Sequence, residues 1–203
     1  MKRVQKVQPL REKSEVERFK NALRRRNIRD WAMFTFGANT GLRASDILKL
    51  RVEDVLDPAS VPSRVKIADS IEITEKKTKK NRDIPLNKAA KDAIKEYVIK
   101  SGIMASPEGT GSPLFPSRKG GGSRSITRSA AWRALHDAAR EAGIRYRVGT
   151  HTMRKTFGYA LYAAGTDITR IQFMLNHSSP EVTLAYIGIT KDETDNLIKS
   201  LNI

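Results

Sequence analysis

The chain has 203 residues, 39% of them hydrophobic, which is enough to bury the core of one ordinary domain. Lysine and arginine number 38 against 22 acidic residues, and the formal net charge of +16 predicts a polyanionic partner, most often nucleic acid. The absence of cysteine excludes disulfides, thiolate chemistry and cysteine-type zinc sites. No apolar run approaches the roughly 18 residues of a membrane span, and no signal-peptide core follows the basic N terminus. We therefore expect a cytoplasmic protein.

Hydrophobic periodicity predicts a mainly helical chain. Residues 1–13 are basic and aperiodic, so we predict a mobile arm there. Ser14 and Glu17 form the pattern of a capping box at the start of the first helix. Gly41 is predicted to end the second helix, since glycine readily adopts the left-handed conformation of a helix end. Helices are expected over about residues 14–26, 30–39, 44–50, 87–101, 126–142, 151–164, 168–176, 180–187 and 191–202.

One small hairpin interrupts the helices. Ile71–Thr74 and Asp83–Leu86 predict two short strands, joined by an almost wholly charged tip over residues 75–82. Residues 102–125 are rich in glycine, proline and serine and predict a long loop. The expected fold class is therefore α+β, mainly helical with one small antiparallel β-sheet.

Two patterns contain histidine. His151 and Arg154 stand three residues apart on a predicted helix, so they share a face and could converge on a phosphate. An ordinary surface pair is the alternative. His177 lies between an apolar helix and a Ser-Ser-Pro turn, and Tyr186 follows nine residues later. The alternative there is a helix cap and a packed tyrosine.

Two basic residues stand apart from the rest. Arg43 follows the sharp turn at Gly41 and opens a helix, although a surface arginine would fit the same position. Lys77 lies in the hairpin tip and, taken alone, is typical of a solvated charge.

Taken together, these residues follow the order Arg, Lys, His-x-x-Arg, His, Tyr, which resembles the tyrosine recombinase (phage integrase) family. Thr40–Asp46 is similar to that family's first box, and His151–Arg154 is similar to its second. The hairpin is similar to the strand pair that carries the family's lysine, with Lys77 eight residues before Pro85. The spacing of the last histidine and the tyrosine also matches. The resemblance implies that the catalytic residues are Arg43, Lys77, His151, Arg154, His177 and Tyr186.

The resemblance implies attack by Tyr186 on a DNA phosphodiester, which forms a 3′-phosphotyrosyl link. Arg43 and Arg154 would bind the non-bridging oxygens with their planar donor forks, and His177 would add a third donor. His151 is the best candidate for the base, because a phenol with a pKa of about 10 needs activation at neutral pH.

Two further groups would assist. Asp46, where the family more often has glutamate, would orient His151 through a hydrogen bond. Lys77 on its hairpin would protonate the leaving 5′-oxygen. Because two arginines supply the positive charge, we expect no metal and no other cofactor.

Two departures from the family concern the backbone and the domain organisation. Asn176 stands where the family usually has glycine, and asparagine is the next most tolerant residue of a left-handed backbone. Only about 42 residues precede Arg43, so we expect the usual N-terminal core-binding domain to be absent. Either the chain is an excised catalytic domain, or it resembles the short inversion-type recombinases that lack that domain. Residues 1–203 would then form a single catalytic domain, which ends in a tail helix over residues 191–203.

The expected partners are double-stranded DNA and other recombinase protomers on that DNA, with the tail helix packing in trans. Exposed basic residues of the hairpin and of the segment that follows residue 117 are candidates for DNA contacts. They are Lys76, Lys79, Lys80, Arg82, Arg118, Lys119, Arg124 and Arg128.

The expected activity is site-specific strand exchange, whether integration, excision or inversion. A type IB topoisomerase or resolvase-like enzyme would use the same chemistry with a different outcome. A non-catalytic DNA-binding protein on the same fold is the alternative from another class, although the complete residue set argues against it.

Overall fold

The structure is a computed structural model that describes residues 7–74, 81–106, 108–119, 121–189 and 199. A two-stranded antiparallel sheet accompanies the helices, so the predicted fold class is confirmed. The helices are α1 (Lys13–Arg26), α2 (Ile28–Thr40), α3 (Ala44–Ile47), α4 (Lys88–Ser101), α5 (Arg128–Glu141), α6 (Thr150–Ala163), α7 (Ile168–Leu175) and α8 (Pro180–Ile187). The strands are β1 (Ser70–Thr74) and β2 (Asn81–Pro85). The predicted tip over residues 75–82 is too long, because β2 begins at Asn81. Residues 75–80 and most of the predicted tail helix lie outside the described residues.

Local capping explains several of the helix ends. The Asn87 side chain accepts a hydrogen bond from the Ala90 backbone N–H at 2.9 Å, which satisfies one unpaired donor at the start of α4. Gly41 ends α2 in the left-handed conformation at φ 65°, as the sequence predicts.

The prediction of a helix over residues 44–50 is too long, because α3 ends at Ile47. The backbone beyond it pairs with the segment that precedes α5. The carbonyl of Leu50 accepts from the N–H of Leu114 at 2.7 Å, and the N–H of Val52 donates to Ser112 at 3.0 Å. The chain therefore leaves α3 through a turn at residues 48 and 49 and pairs as extended chain from Leu50 onward.

The hydrophobic core is built around α2. Phe34 and Phe36 are fully buried, and Phe34 meets Phe19 of α1 edge to face, with ring centroids 4.7 Å apart. Phe115, within the predicted loop over 102–125, is also fully buried and stacks on Tyr97 of α4 at 5.8 Å. The loop is therefore anchored to the core.

The prediction of a mobile N-terminal arm is wrong for residues 7–12. The N–H of Gln8 donates to the carbonyl of Arg147 at 3.0 Å, and the N–H of Leu10 donates to Thr156 Oγ1 of α6 at 2.9 Å. The Leu10 side chain is 1% exposed. Burial of an apolar side chain and pairing of two backbone donors hold this segment across α6.

The predicted capping box is also wrong, because α1 begins at Lys13 with Glu12 as its N-cap. Glu15, rather than Glu17, reaches back, and its Oε2 accepts the N–H of Arg11 at 3.1 Å. Glu17 instead pairs with Lys20 at 2.8 Å. Because residues 7–12 are anchored to α6, α1 begins at Lys13, one residue before the predicted start at Ser14.

A second, smaller apolar cluster joins α6, α7 and α8. Its fully buried members are Ile171, Leu175 and Ile187. Gly158 of α6 permits their close approach, because a Cβ there would lie 2.8 Å from Ile187 and 3.1 Å from Leu175. The cluster thus packs the last two helices against α6.

None of the helices in the described part of the chain combines the length and the apolar character of a membrane span.

Candidate active site

Five of the six predicted catalytic side chains lie at the junction of the α2–α3 turn, the start of α6 and the α7–α8 pair. Tyr186 is central, since its hydroxyl lies 3.4 Å from His151 Nδ1 and its ring centroid 4.8 Å from that of His177. Arg43 and Arg154 are close enough for their positive charges to act on the pKa of the Tyr186 phenol. The sixth, Lys77, lies outside the described residues.

The turn that carries Arg43 requires glycine at position 41. A Cβ at Gly41 would lie 2.4 Å from Cδ1 of Phe157 on α6, and its φ of 65° is one that other residues rarely adopt. This close approach seats the turn on α6. Arg43 then follows as the N-cap of α3, where it is half-buried.

Arg154 connects the turn that carries Arg43 with the corner that carries His177. It is 3% exposed, and its Nη1 and Nη2 groups donate to the backbone carbonyls of Gly41 and Leu175. A buried guanidinium must be paired with acceptors to offset its lost hydration. These acceptors lie directly before the Arg43 turn and directly before the Asn176–His177 corner, so Arg154 fixes both.

The corner before His177 depends on Asn176, which ends α7 at φ 47° and ψ 54°. Among the described residues it is the one non-glycine residue with positive φ, which agrees with asparagine standing in for glycine. His177 Nδ1 lies 3.1 Å from Thr183 Oγ1, whose hydroxyl donates to the carbonyl of Ser179 at 3.0 Å. Because that hydroxyl has a single proton, it accepts from His177, and Nδ1 carries the ring proton.

Helix α8 presents Tyr186 from its last turn. Ser179 caps its start by accepting from the N–H of Val182, Pro180 occupies the first helical position, and Gly188 ends the helix at φ 90°. Burial raises the pKa of the Tyr186 phenol, while the positive charges of Arg154 and Arg43 oppose the rise. The Tyr186 phenol is therefore neutral at pH 7, and it would need a base in order to act as a nucleophile.

Lys155 and Thr183 are functional candidates that sequence reasoning missed. The Lys155 side chain is buried, its Nζ donates to the carbonyl of Tyr186, and it lies 4.9 Å from the centroid of the Tyr186 ring. The carbonyls of a helix's last turn have no intrahelical donor, and a cation there also suits the helix dipole. A cation beside Arg154 was the sequence signal for Lys155, and a threonine four residues after Ser179 was the signal for Thr183.

Both ring nitrogens of His151 have neighbours. Nδ1 faces the Tyr186 hydroxyl, and Nε2 lies 3.0 Å from Nη2 of Arg128. His151 is exposed as a residue, yet partial burial of its ring lowers its pKa, and the positive charge of Arg128 lowers that pKa further. The imidazole is therefore neutral at pH 7.

The expected hydrogen bond from Asp46 to His151 is absent, because both ring nitrogens have other partners. Asp46 is 4% exposed on α3, and Ser45 Oγ lies 3.4 Å from its Oδ1. It sits in the same turn as Arg43. Any influence on His151 is therefore indirect.

The predicted DNA contacts fall into four groups. Arg82 of β2 donates to the carbonyl of Met174 at 3.0 Å, which links the base of the hairpin to the end of α7. Arg128 borders the site beside His151. Arg118, Lys119 and Arg124 are exposed in the loop between Pro116 and Ser125. Lys76, Lys79 and Lys80 lie outside the described residues.

No group of three or more histidine, aspartate and glutamate side chains that could hold a metal ion occurs within the described ranges. The arrangement instead offers two guanidinium groups and two imidazoles around one phenol. Such a set can bind an anionic phosphate and deliver a phenolic oxygen to it.

Fold and site together define a catalytic domain of the tyrosine recombinase class. The chain belongs to the phage integrase family, whose model matches residues 10–193. A probable integrase/recombinase, YoeC of Bacillus subtilis (strain 168), is 40% identical over 188 residues, which are 93% of each chain. The tyrosine recombinase XerD of Corynebacterium glutamicum is 31% identical over 166 residues, 82% of this chain and 50% of XerD. The chain thus spans about half the length of that relative.

Solved structures share the fold. The crystal structure of XerA recombinase superposes with a TM-score of 0.71 at 21% identity, over 100% of this chain and 67% of XerA. XerH recombinase, bound to a palindromic difH substrate after cleavage, gives 0.70 at 20% identity, over 95% of this chain and 52% of XerH.

Proposed function

We propose that this chain cleaves and rejoins double-stranded DNA at specific sites through a 3′-phosphotyrosyl intermediate on Tyr186. The observation that carries the proposal is the convergence of Arg43, Arg154, His151 and His177 on the Tyr186 side chain. Family membership and the kinship with named recombinases support it.

In the proposed reaction, the Tyr186 oxygen attacks phosphorus while the bond from phosphorus to the 5′-oxygen breaks. Negative charge builds on the non-bridging oxygens, where Arg43 and Arg154 donate, and His177 donates from Nε2 once it is protonated there. The phenolic proton passes to His151, and the 5′-oxygen takes a proton from Lys77. The phosphotyrosyl bond preserves the energy of the broken bond, so rejoining requires no nucleotide.

Strand exchange also requires partners. One protomer contains one Tyr186, so exchange of strands between duplexes needs several protomers on the DNA. We infer that the chain acts with other copies on double-stranded DNA, in the cytoplasm of a bacterial or phage-infected cell. Integration, excision and inversion are all compatible with the same chemistry, as is the relaxation of supercoils by a type IB topoisomerase.

Covalent capture tests the proposal and identifies the target site in one experiment. The chain is incubated with sheared genomic DNA of its own source, denatured with detergent, and precipitated with potassium so that only protein-linked DNA is recovered. Sequencing of the recovered ends should show one recurrent motif, whereas a topoisomerase would give dispersed sites. Recovery no greater than that of Tyr186→Phe would refute the enzymatic activity and leave a DNA-binding role.

The role of Lys77 can be tested on the captured motif. If Lys77 is the acid, Lys77→Ala should slow cleavage of ordinary DNA, and a 5′-bridging sulfur should restore the rate, because a thiolate leaves without a proton. Lys76→Ala, Lys79→Ala and Lys80→Ala should weaken binding modestly and reduce its salt dependence. Rescue of one of these neighbours instead would move the acid along the hairpin.

A further inference from the structure

Arg128 makes a contact with the candidate base that the proposed chemistry does not use. It occupies the first position of α5, is exposed, and places Nη2 3.0 Å from Nε2 of His151. The other ring nitrogen, Nδ1, lies 3.4 Å from the Tyr186 hydroxyl. Among the described residues these are the two hydrogen-bonding neighbours of the imidazole.

The contact determines where the ring proton of His151 resides. A guanidinium has donors only, so Nε2 must accept and cannot carry a proton. The neutral ring has one proton, which is then on Nδ1 and points at the Tyr186 oxygen. In this arrangement His151 donates to the nucleophile. A base needs a lone pair at the atom that faces the proton to be removed, and here Nδ1 offers none.

Arg128 also lines an open cleft of about 560 Å³ beside His151. Arg147 lines the same cleft, and one wall is the indole of Trp132, which stacks on His136 with centroids 4.9 Å apart. Two arginines and an aromatic face suit a stretch of DNA backbone. A phosphate there would attract Arg128 more strongly than a neutral imidazole nitrogen does, because its bonds to the guanidinium are assisted by charge.

We propose that Arg128 is a positioning residue that holds His151 in the non-basic tautomer until a DNA phosphate enters this cleft and draws the guanidinium away. Solvent then moves the ring proton from Nδ1 to Nε2, and the Nδ1 lone pair faces the Tyr186 hydroxyl. As the Tyr186 oxygen bonds to phosphorus, its proton passes to Nδ1. Tyr186 is thus kept unreactive in the absence of DNA. The inference rests on the proposed function, since it assigns His151 as the base.

Nitrogen NMR of the imidazole rings reads the tautomer directly. The chain has three histidines, so the signals are few, and His151→Gln identifies the one that matters. Spectra are recorded at pH 7 on the full chain alone and with excess 20-base-pair duplex of arbitrary sequence at low salt. Binding through phosphates does not depend on sequence. Fluorescence anisotropy of a labelled duplex, measured in the same buffer, verifies that the complex forms.

We expect the proton on Nδ1 without DNA and mainly on Nε2 with it. Arg128→Met should give the Nε2–H form already without DNA. Arg147→Met is the matched control, because it removes the same charge from the same cleft without contact to the imidazole, and it should keep Nδ1–H. The proposal is overturned by Nε2–H in the DNA-free chain, by an unchanged tautomer in the complex, or by equal shifts in the two variants.

These readings are separate from the proposed function. A chain that never links to DNA but switches tautomer as described would refute the recombinase reaction and keep the Arg128 contact. A chain that links to DNA through Tyr186 with no change at His151 would support the recombinase reaction and refute the role of Arg128. Because Arg128 and Arg147 are surface residues of a folded domain, a one-dimensional proton spectrum suffices to show that each variant is folded.

Discussion

The two histidines beside Tyr186 are held in different ways. His177 is tied to Thr183, which is fully buried and whose own proton is committed to the carbonyl of Ser179. His151 is tied to Arg128, an exposed cation at the edge of an open cleft. A buried neutral partner fixes a ring once the chain has folded, whereas an exposed charged partner can be exchanged for a phosphate. The His177 side is therefore preorganised, and the His151 side can respond to DNA.

The largest effect on covalent capture is expected from Tyr186→Phe, which removes the hydroxyl between the His177 side and the His151 side of the site. Covalent capture should fall by at least about 10⁴-fold, as for loss of a catalytic nucleophile. DNA affinity should remain within about threefold, because the positive surface is intact. Detergent-resistant adducts and anisotropy measure the two quantities. An adduct that persists in this variant would mean that another residue is the nucleophile.

Arg154→Lys should have the next largest effect on cleavage, because Arg154 holds both the turn before Arg43 and the corner before His177. Lysine keeps the charge but cannot span the carbonyls of Gly41 and Leu175 with a planar fork. We expect single-turnover cleavage to fall by about 10²- to 10³-fold, as for a lost donor to a developing oxyanion. The melting temperature should fall as well. Near-normal cleavage by Arg154→Lys would show that the charge alone is sufficient.

Thr183→Val tests whether Thr183 orients His177 on the preorganised side of the site. Valine keeps the shape but removes the acceptor of His177 Nδ1–H, so the ring loses its orientation. Cleavage at saturating DNA should fall by about tenfold, since an unsatisfied buried polar group costs about 1–3 kcal/mol. Thr183→Ser should restore the rate. Thr156→Val is the control, because it loses a buried hydrogen bond to Leu10 away from the site. An equal loss in the control would make the effect one of stability alone.

Lys155→Met tests how firmly Tyr186 is held between the two histidines. Loss of the ammonium leaves the Tyr186 carbonyl without its donor and removes the cation beside the ring. We expect a several-fold fall in the cleavage rate, with DNA affinity unchanged and partial rescue by Lys155→Arg. Arg11→Met is matched, because Arg11 bonds the Gly188 carbonyl at 2.7 Å at the same helix end without touching Tyr186. Equal slowing by both variants would assign the effect to α8 as a whole.

Much of this architecture could be predicted from the sequence, because local chemistry determines it. The left-handed turn at Gly41, the Asn87 cap and the order of the helices follow from residue type and periodicity. The left-handed Asn176 was predictable for the same reason. Each of these features depends on residues within one helical turn of each other.

Long-range contacts were the part that the sequence could not supply. The anchoring of Leu10 on Thr156 spans 146 positions, and nothing in a basic, aperiodic segment signals it. Lys155 lies next to Arg154 in sequence, yet it serves a different partner, since adjacent helical residues point in different directions. The predicted link from Asp46 to His151 failed for a similar reason, because Arg128, 23 positions away, takes the ring nitrogen.

The smallest expected effect is a shift in the pH dependence of the cleavage rate, and it concerns His151, the histidine that can respond to DNA. At subsaturating DNA, the cleavage rate depends on groups of the free enzyme, and the base must be neutral. Burial and then Arg128 lower the pKa of His151 from its ordinary 6.5, so the acid limb of the wild-type profile should lie below that value. Arg128→Met removes the second cause and leaves burial and the positive charges of Lys155, Arg154 and Arg43. The pKa should rise, more of the ring is then protonated at a given acidic pH, and the limb should move to higher pH.

Rates measured from pH 5 to pH 8 locate that limb, and Arg147→Met corrects for the general loss of charge in the cleft. At the alkaline end His151 is neutral in every variant, so the difference that remains there reports DNA binding and the tautomer of the ring, and the position of the acid limb alone reports the pKa. A limb that stays in place in Arg128→Met, or moves to lower pH, would mean that Arg128 does not act on the group that titrates. The contrast between a fixed and a responsive histidine would then lose its electrostatic basis.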